Sequence, residues 1–181
     1  MARIVCIAGL ILSALAAQAA TLEYLSLDDM AVKSTAIIRG RVIAANTGVQ
    51  APLIFTRYTV QVLERWKGAD APEVDVVVPG GDVQGRRQVF SGAPQLAAGE
   101  EYVLFLWTGP SGLTQVIGFS QGVFQLQKDA QGEVVARRSA STGAMLDPKT
   151  GGLVTDQAMR LRLGDLRSRV RSATMGGGVS Q

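Results

Sequence analysis

The sequence predicts a mainly β protein folded into a closed or partly closed antiparallel barrel. Three features indicate this: short segments in which apolar and polar residues alternate, turns rich in Gly and Pro between them, and one continuous apolar run, Tyr102 to Trp107. Alternation with a period of two is typical of a strand with one buried face, whereas a short continuous apolar run is typical of a strand buried on both faces. Roughly six to eight such strands joined by tight turns favour a barrel.

The predicted strands follow one another closely. Alternation begins after Thr35 and is expected to stop at a turn over Ala45–Gly48. A long strand then runs from Phe55 to Trp66. Its side chains on one face are Tyr58, Val60, Val62 and Trp66. The other predicted strands cover residues 74–78, 83–90, 102–107, 113–119, 122–127 and 134–138.

Two helices are predicted at the ends of this β-rich segment. Ser26 is a typical N-cap, and it predicts a short helix over about 27–33 with acidic residues in the first turn. A turn-rich connector is expected at 139–154, after a β domain at 20–138. An amphipathic helix is then expected at 155–172, followed by a flexible tail at 173–181. Its apolar stripe is Met159, Leu163, Leu166 and Val170.

The first nineteen residues have the layout of a secretory signal peptide. Arg3 provides a positive start, an apolar run follows, and Ala17-Gln18-Ala19 is a small-residue cleavage sequence. Cleavage is expected between Ala19 and Ala20, which predicts a periplasmic or extracellular protein. Every apolar run after residue 20 is shorter than the about 20 residues that a spanning helix needs, so no membrane span is expected.

The residue types that remain restrict the available chemistry. The chain has no histidine, and its one cysteine, Cys6, lies in the predicted signal peptide. Ser-His-Asp and Cys-His catalysis and a structural zinc site therefore cannot be built. Acidic residues that could bind calcium lack EF-hand spacing, and no cofactor or metal is predicted. These residues are Asp70, Glu73, Asp147 and Asp156.

No catalytic residue is predicted either. Glu100 and Glu101 are adjacent glutamates, but beside Gly99 they are better explained by a turn than by a cleft for glycoside cleavage. Lys33 and Ser34 are sequence neighbours, which rarely face each other on a helix. The segment from Pro79 to Gly85 is rich in glycine but lacks the ending of a phosphate-binding loop, so a tight turn is expected.

A net charge of +3 is too small to indicate nucleic-acid binding. Two sets of side chains, large aromatic residues and C-terminal arginines, are nevertheless candidates for binding. Large aromatic residues are mostly expected in the core and would bind bases or sugars only where exposed. They are Phe55, Tyr58, Trp66, Phe105 and Trp107. The arginines near the C-terminus are expected mainly as a solvated surface, with docking as the alternative. They are Arg160, Arg162, Arg167, Arg169 and Arg171.

Three segments resemble a known module. They are Ala36-Ile-Ile-Arg-Gly40-Arg-Val, Val62-Leu-Glu-Arg-Trp-Lys67-Gly68 and Gly99-Glu-Glu-Tyr102-Val-Leu-Phe105. In this order they are similar to the netrin-like module, the OB-type barrel of tissue inhibitors of metalloproteinases and complement C-terminal domains, over about residues 22–127. The resemblance implies an OB-like barrel. The inhibitors chelate zinc through an N-terminal cysteine that this chain lacks, so no functional residue carries over.

The chain also resembles a group of exported bacterial proteins, through Pro79-Gly-Gly, Gly92-Ala-Pro94 and Gln121-Gly122-Val-Phe124. We therefore expect an exported, non-enzymatic binding module whose partner is an envelope or secreted protein. An oligosaccharide or single-stranded nucleic-acid binder is the alternative and requires exposed aromatic rings. A hydrolase based on carboxylates is a third hypothesis and requires two acids converging in a cleft. The oligomeric state is left open.

Overall fold

The computed structural model describes residues 21–141 and 143–176. The predicted signal peptide, with Ala19 and Ala20, lies outside the described residues, as does most of the predicted tail. The described chain is mainly β, as predicted. Its first elements are β1 (Leu22–Glu23), α1 (Leu27–Lys33), β2 (Ala36–Gln50), β3 (Leu53–Lys67), β4 (Glu73–Pro79), β5 (Gly81–Val83) and β6 (Arg86–Gln88). The later ones are β7 (Glu101–Thr108), β8 (Thr114–Val116), a 3-10 helix (Phe119–Gly122), β9 (Val123–Lys128), β10 (Val134–Arg138), β11 (Met145–Leu146), β12 (Leu153–Val154), β13 (Met159–Arg162) and α2 (Leu163–Gly176).

One antiparallel sheet organises the molecule, in the order β13-β10-β9-β7-β2-β3-β4. The prediction of a barrel is wrong in its closure, because β4 and β13 pair with no strand on their outer sides among the described residues. Strand β7 explains why. One half of its second edge, Tyr102 to Leu104, pairs with β9, and the other half, Leu106 to Thr108, pairs with β8. The sheet therefore forks at β7, and the β8 branch lies beside β4 without forming a strand ladder with it.

Both faces of the sheet are buried around β7. The helix-side cluster lies under the two helices and contains buried residues such as Met30, Phe105, Phe124, Leu166 and Val170. The inner cluster lies on the opposite face. It contains Ile38, Val42, Tyr58, Val60, Val76, Val78, Leu96, Tyr102, Leu104, Leu106 and Val116. Residues 102–106 are buried, which confirms the prediction of a strand buried on both faces up to that point.

Bulges between β2 and β3 overturn two details of the prediction. The pairing register shifts at three places along these strands, and each shift reverses which face the following side chains take. Trp66 consequently packs on the helix-side cluster, whereas Tyr58 and Val60 lie in the inner cluster, so their predicted common face is wrong. The predicted turn at Ala45–Gly48 is also wrong, because β2 continues to Gln50 and the chain reverses at Ala51–Pro52.

The C-terminal part differs from the prediction as well. The predicted helix at 155–172 is wrong at its start: residues 159–162 form β13, which pairs with β10, and α2 begins at Leu163. Met159 fits the apolar spacing of the predicted helix, but the backbone hydrogen bonds to β10 hold this segment as a strand. The predicted connector at 139–154 contains β11 and β12, and β11 runs parallel to β1. The single strand predicted at 83–90 is instead the β5–β6 hairpin, which turns at Gln84–Gly85.

Helix α1 begins with a reciprocal cap. The backbone N–H of Asp29 donates to Ser26 Oγ at 3.1 Å, and the Asp29 carboxylate accepts from the Ser26 backbone at 3.3 Å. Hydrogen bonding to Ser26 lowers the pKa of the Asp29 carboxyl. None of the helices among the described residues has the length and apolar character needed to cross a membrane.

Candidate functional site: a binding groove

A groove of about 940 Å³ lies between the face of β9, β10 and β13 and the loop over residues 92–97. The groove exists because the sheet forks at β7. Strands β9, β10 and β13 lie beyond the inner cluster, and no helix or second sheet covers their face on that side among the described residues. Side chains and backbone of both walls line it. The lining residues that the argument uses are Gln95, Tyr102, Gln125, Gln127, Arg137 and Arg160.

Strand register places four of these residues in one row across the sheet. Tyr102 pairs with Gln125, Gln125 with Arg137, and Arg137 with Arg160. Directly paired residues of antiparallel strands project to the same face, so the row runs from a buried phenol, through an amide, to two exposed guanidinium groups. Gln127 lies two residues from Gln125 on the same face.

The groove is positively charged. None of its described lining residues is an aspartate or glutamate, whereas three are arginines, of which Arg138 is neutralised by the buried Asp156 and Arg137 and Arg160 are exposed. Arg137 donates a long 3.4 Å hydrogen bond to Gln127 and forms no ion pair with a described residue. Arg160 reaches Asp129 only at 3.9 Å. Two exposed arginines thus occupy directly paired positions with little internal neutralisation.

Buried contacts hold both walls of the groove. The backbone N–H of Ala97 donates to the Tyr102 hydroxyl at 2.9 Å, which ties the 92–97 loop to β7. On the other wall, Arg138 and Asp156 form a buried ion pair at 2.6 Å, and Asp156 also accepts from the backbone N–H of Ser141 at 2.8 Å. These contacts fix the wall at 138–141 while leaving the groove-facing side chains exposed.

The structure places the predicted acidic pair, Glu100 and Glu101, outside this groove. Glu100 is exposed just after the turn at residues 98–99, as predicted, whereas Glu101 meets a different glutamate, Glu64, through arginines. Glu101 begins β7 and bonds Arg39 at 2.8 Å and Arg41 at 2.6 Å, and Arg39 also bonds Glu64 at 2.7 Å. Burial alone would raise the pKa of Glu64 and of Glu101, but the hydrogen bonds from the arginines outweigh it and lower both pKa values. Two carboxylates held ionised in this way offer no proton to a leaving group.

The side chains of Lys33 and Ser34, considered above as a catalytic pair, do not contact each other. Lys33 pairs with Glu23 at 2.8 Å, while the Ser34 hydroxyl is buried without a partner among the described residues. The cation at this end of α1 is Lys67, whose Nζ donates to the carbonyls of Ala31 and Val32. Burial lowers the pKa of Lys67.

The acidic residues considered for calcium do not converge. Asp156 is occupied by Arg138, Asp147 accepts from the backbone of its own turn, and Asp70 is exposed. Within residues 21–141 and 143–176, no group of three or more metal-ligating side chains is present.

The predicted arginine surface is mostly paired within the molecule. Arg167 contacts Glu64 at 3.4 Å, Arg169 contacts Asp28 at 3.2 Å, and Arg162 contacts Glu133 at 3.5 Å. These contacts are exposed, so each contributes little to stability, but they leave fewer arginines without an acidic neighbour. Of the predicted arginines, Arg160 is the one that lines the groove.

The predicted aromatic set is divided by burial. Phe105 and Tyr58 belong to the core, and Phe55 and Trp66 are half-buried. Trp107, at the end of the central strand, is 43% exposed. It lies above a hollow of about 560 Å³ on the helix side, apart from the groove.

Sequence reasoning missed the groove because its residues meet only through strand register. A signal was present in Phe124-Gln-Leu-Gln127, where apolar residues alternate with amides and predict one polar face. No match was found between the chain and any protein family model, curated protein or solved structure.

Proposed function

We propose that the chain is an exported, non-enzymatic binding module that holds an extended segment of a partner protein in the groove. The observation that carries the proposal is the groove itself, an open channel of about 940 Å³ lined by amide, hydroxyl and guanidinium groups and by apolar residues such as Ala93, Pro94 and Ala158. Such groups form hydrogen bonds to a polypeptide without performing chemistry on it. Export rests on the predicted signal peptide.

The rigidity of the groove walls supports this function. Binding is weakened when side chains and loops must be ordered at the same time, so a preformed site retains more of its contact energy. The Tyr102–Ala97 hydrogen bond and the Arg138–Asp156 ion pair hold both walls before any partner arrives.

The ion pairs formed by the acidic residues favour a binding function over hydrolysis. The convergent pair, Glu64 and Glu101, is neutralised by Arg39 and Arg41 and has lowered pKa values. A glycosidase needs one carboxyl group that stays protonated near its working pH. The arginines therefore give this pair a structural role, that of joining β2, β3 and β7.

A site-directed cross-linking experiment tests the proposal. A photoreactive amino acid replaces Gln127, which lines the groove, or Gln61, an exposed glutamine on β3 outside it. Both proteins are illuminated in envelope and culture fractions, and cross-linked species are identified by mass spectrometry. We expect one dominant partner protein with the Gln127 probe alone. Equal capture by both probes, or none by either, would contradict the proposal.

Trp107 favours a second candidate function, the binding of an oligosaccharide. A Cβ at Gly109 would lie 2.8 Å from the indole, so the glycine lets one part of the ring pack on the backbone while the rest stays exposed. Glu23 and Lys33 border the same hollow and could bond sugar hydroxyls. Titration with chitotetraose should quench Trp107 fluorescence in wild type and in Trp66→Phe but not in Trp107→Ala. An unchanged spectrum in wild type removes this candidate.

A further inference from the structure

Two arginines lie directly opposite each other on the groove face, where like charges repel. Arg137 on β10 pairs in register with Arg160 on β13. Like charges at directly opposed positions of a sheet are destabilising. The only ion pair that either forms with a described residue is the 3.9 Å approach of Arg160 to Asp129. The arrangement is unfavourable in the free protein and becomes favourable when a negative group lies between or beside the two guanidinium groups.

The groove also borders a strand edge. Strand β13 is the terminal strand of the sheet and, among the described residues, pairs only with β10. Its outer backbone groups can therefore bond a further extended chain, which adds main-chain affinity to the contacts of side chains. A polysaccharide has no backbone that repeats these bonds, so this edge favours a peptide.

We propose that the β13 rim of the groove takes an acidic, extended peptide segment, which adds to the sheet beside β13 with its acidic residues at alternate positions on the groove side. Side chains two residues apart on a strand share a face, so the acids of the added strand lie beside Arg160 and Arg162. Arg137 lies one strand further in, opposite Arg160, and its long side chain extends toward the acid beside Arg160. This inference rests on the proposed function, because it names the partner chemistry of the same groove.

The same charges oppose the pairing of this edge with a second copy of the chain. Charged side chains on an edge strand discourage pairing with another copy of the same chain. A strand that carries acidic residues reverses this effect, since each repulsive position becomes an attractive one. The edge is thereby selective for the charge of what it pairs with.

Fluorescence anisotropy with a labelled peptide of alternating glutamate and valine tests the inference. We expect saturable binding that weakens as salt rises to about 0.5 M, because exposed charges are screened. Arg137→Gln and Arg160→Gln should each raise the dissociation constant about five- to tenfold. Arg57→Gln is the matched control, since Arg57 is an exposed arginine on β3 that pairs with Asp75 outside the groove.

Two further probes separate charge from strand addition. The same peptide with N-methylated backbone amides should lose most of its binding, and polygalacturonate should bind weakly. Equal binding of the methylated peptide or of polygalacturonate would overturn the inference, as would no binding of the acidic peptide. The cross-linking experiment reports separately: a protein captured through position 127 together with no acidic-peptide binding leaves the proposed function standing and rejects this partner chemistry.

Discussion

At the scale of single residues, Gln121 is the polar side chain on which the N-terminal segment depends. It is 1% exposed. Its Oε1 accepts from the backbone N–H of Leu25 at 2.9 Å, and its Nε2 donates to the carbonyls of Glu23 and Gly118 at 2.9 and 3.1 Å. One amide thus satisfies three backbone groups and joins the segment before α1 to the 3-10 helix.

Replacing Gln121 by alanine should lower the free energy of unfolding by about 2–4 kcal/mol, because buried backbone groups lose their partners. Urea denaturation followed by circular dichroism measures the change. Gln115→Ala, at an exposed glutamine on β8, is the control and should change stability by less than about 0.5 kcal/mol. Equal stability of the two variants would contradict the assigned role.

The ion pairs of Glu64 and Glu101 predict a pH dependence of stability. Burial opposes ionisation, but the arginine hydrogen bonds prevail, so the pKa of each carboxyl is lower in the folded than in the unfolded chain. Their stabilisation is complete above the ordinary glutamate pKa of about 4.3 and is lost as the pH falls through the lowered values. The free energy of unfolding should therefore decline below about pH 5.

Urea denaturation at a series of pH values checks this dependence. Glu101→Gln should be less stable than wild type at neutral pH and should show a shallower decline in acid. Glu73→Gln, at an exposed position on β4, should keep the wild-type slope. Identical slopes for all three proteins would remove the ion pairs from the explanation.

At the scale of elements, helix α2 covers one face of the sheet through a narrow apolar stripe. Leu166 and Val170 are buried in the helix-side cluster, whereas Met175 is 70% exposed. The helix is thus part of the domain's core rather than an appendage. Its exposed face carries Arg167, which pairs with Glu64 of β3, and Arg169, which pairs with Asp28 of α1.

Leu166→Ala should lower the free energy of unfolding by about 2–5 kcal/mol, because it leaves a cavity between α2 and the sheet. Met175→Ala, in the same helix, should have little effect. Thermal and urea unfolding of both variants measure the difference. Similar stabilities would mean that α2 contributes little to the core.

Elements that are specified by neighbouring residues in the sequence could be predicted, whereas those that depend on a distant pairing partner could not. The apolar run at Tyr102–Trp107 predicted a strand buried on both faces, and this is confirmed as far as Leu106, whereas Trp107 is exposed. The boundary between β13 and α2 could not be predicted, because Met159 and Leu161 fit either a helix or a strand until β10 supplies hydrogen bonds. The bulges that move Trp66 to the other face depend on the pairing partner and leave no local pattern.

At the scale of the whole molecule, β7 joins two hydrophobic clusters that lie on opposite faces. Phe105 belongs to the helix-side cluster and Leu104 to the inner cluster, and both are 0% exposed. The groove is a consequence of the same strand, because the fork at β7 leaves β9, β10 and β13 with one open face. The sequence shows the amides and arginines, but only the register of four strands brings them into a row.

Since one strand serves both clusters, the domain should unfold in a single transition. Trp66 reports on the helix-side cluster, while circular dichroism reports on the whole sheet. In Trp107→Phe, which leaves Trp66 as the only tryptophan, both probes should give the same urea midpoint. Two separate midpoints would show that the clusters unfold independently.

The strand order also sets the sequence of events when the chain folds. Strands β2 and β3 are neighbours in the chain and can form a hairpin early. The other edge of β2 stays unpaired until β7 reaches it, and β4, β5 and β6 come before β7 in the chain. Non-local pairing of this kind slows folding, because loop closure precedes the contacts that reward it. During that interval the unpaired edge of β2, a strand rich in apolar residues, is open to other chains, which adds a kinetic risk of aggregation to that of the edge strands in the finished fold.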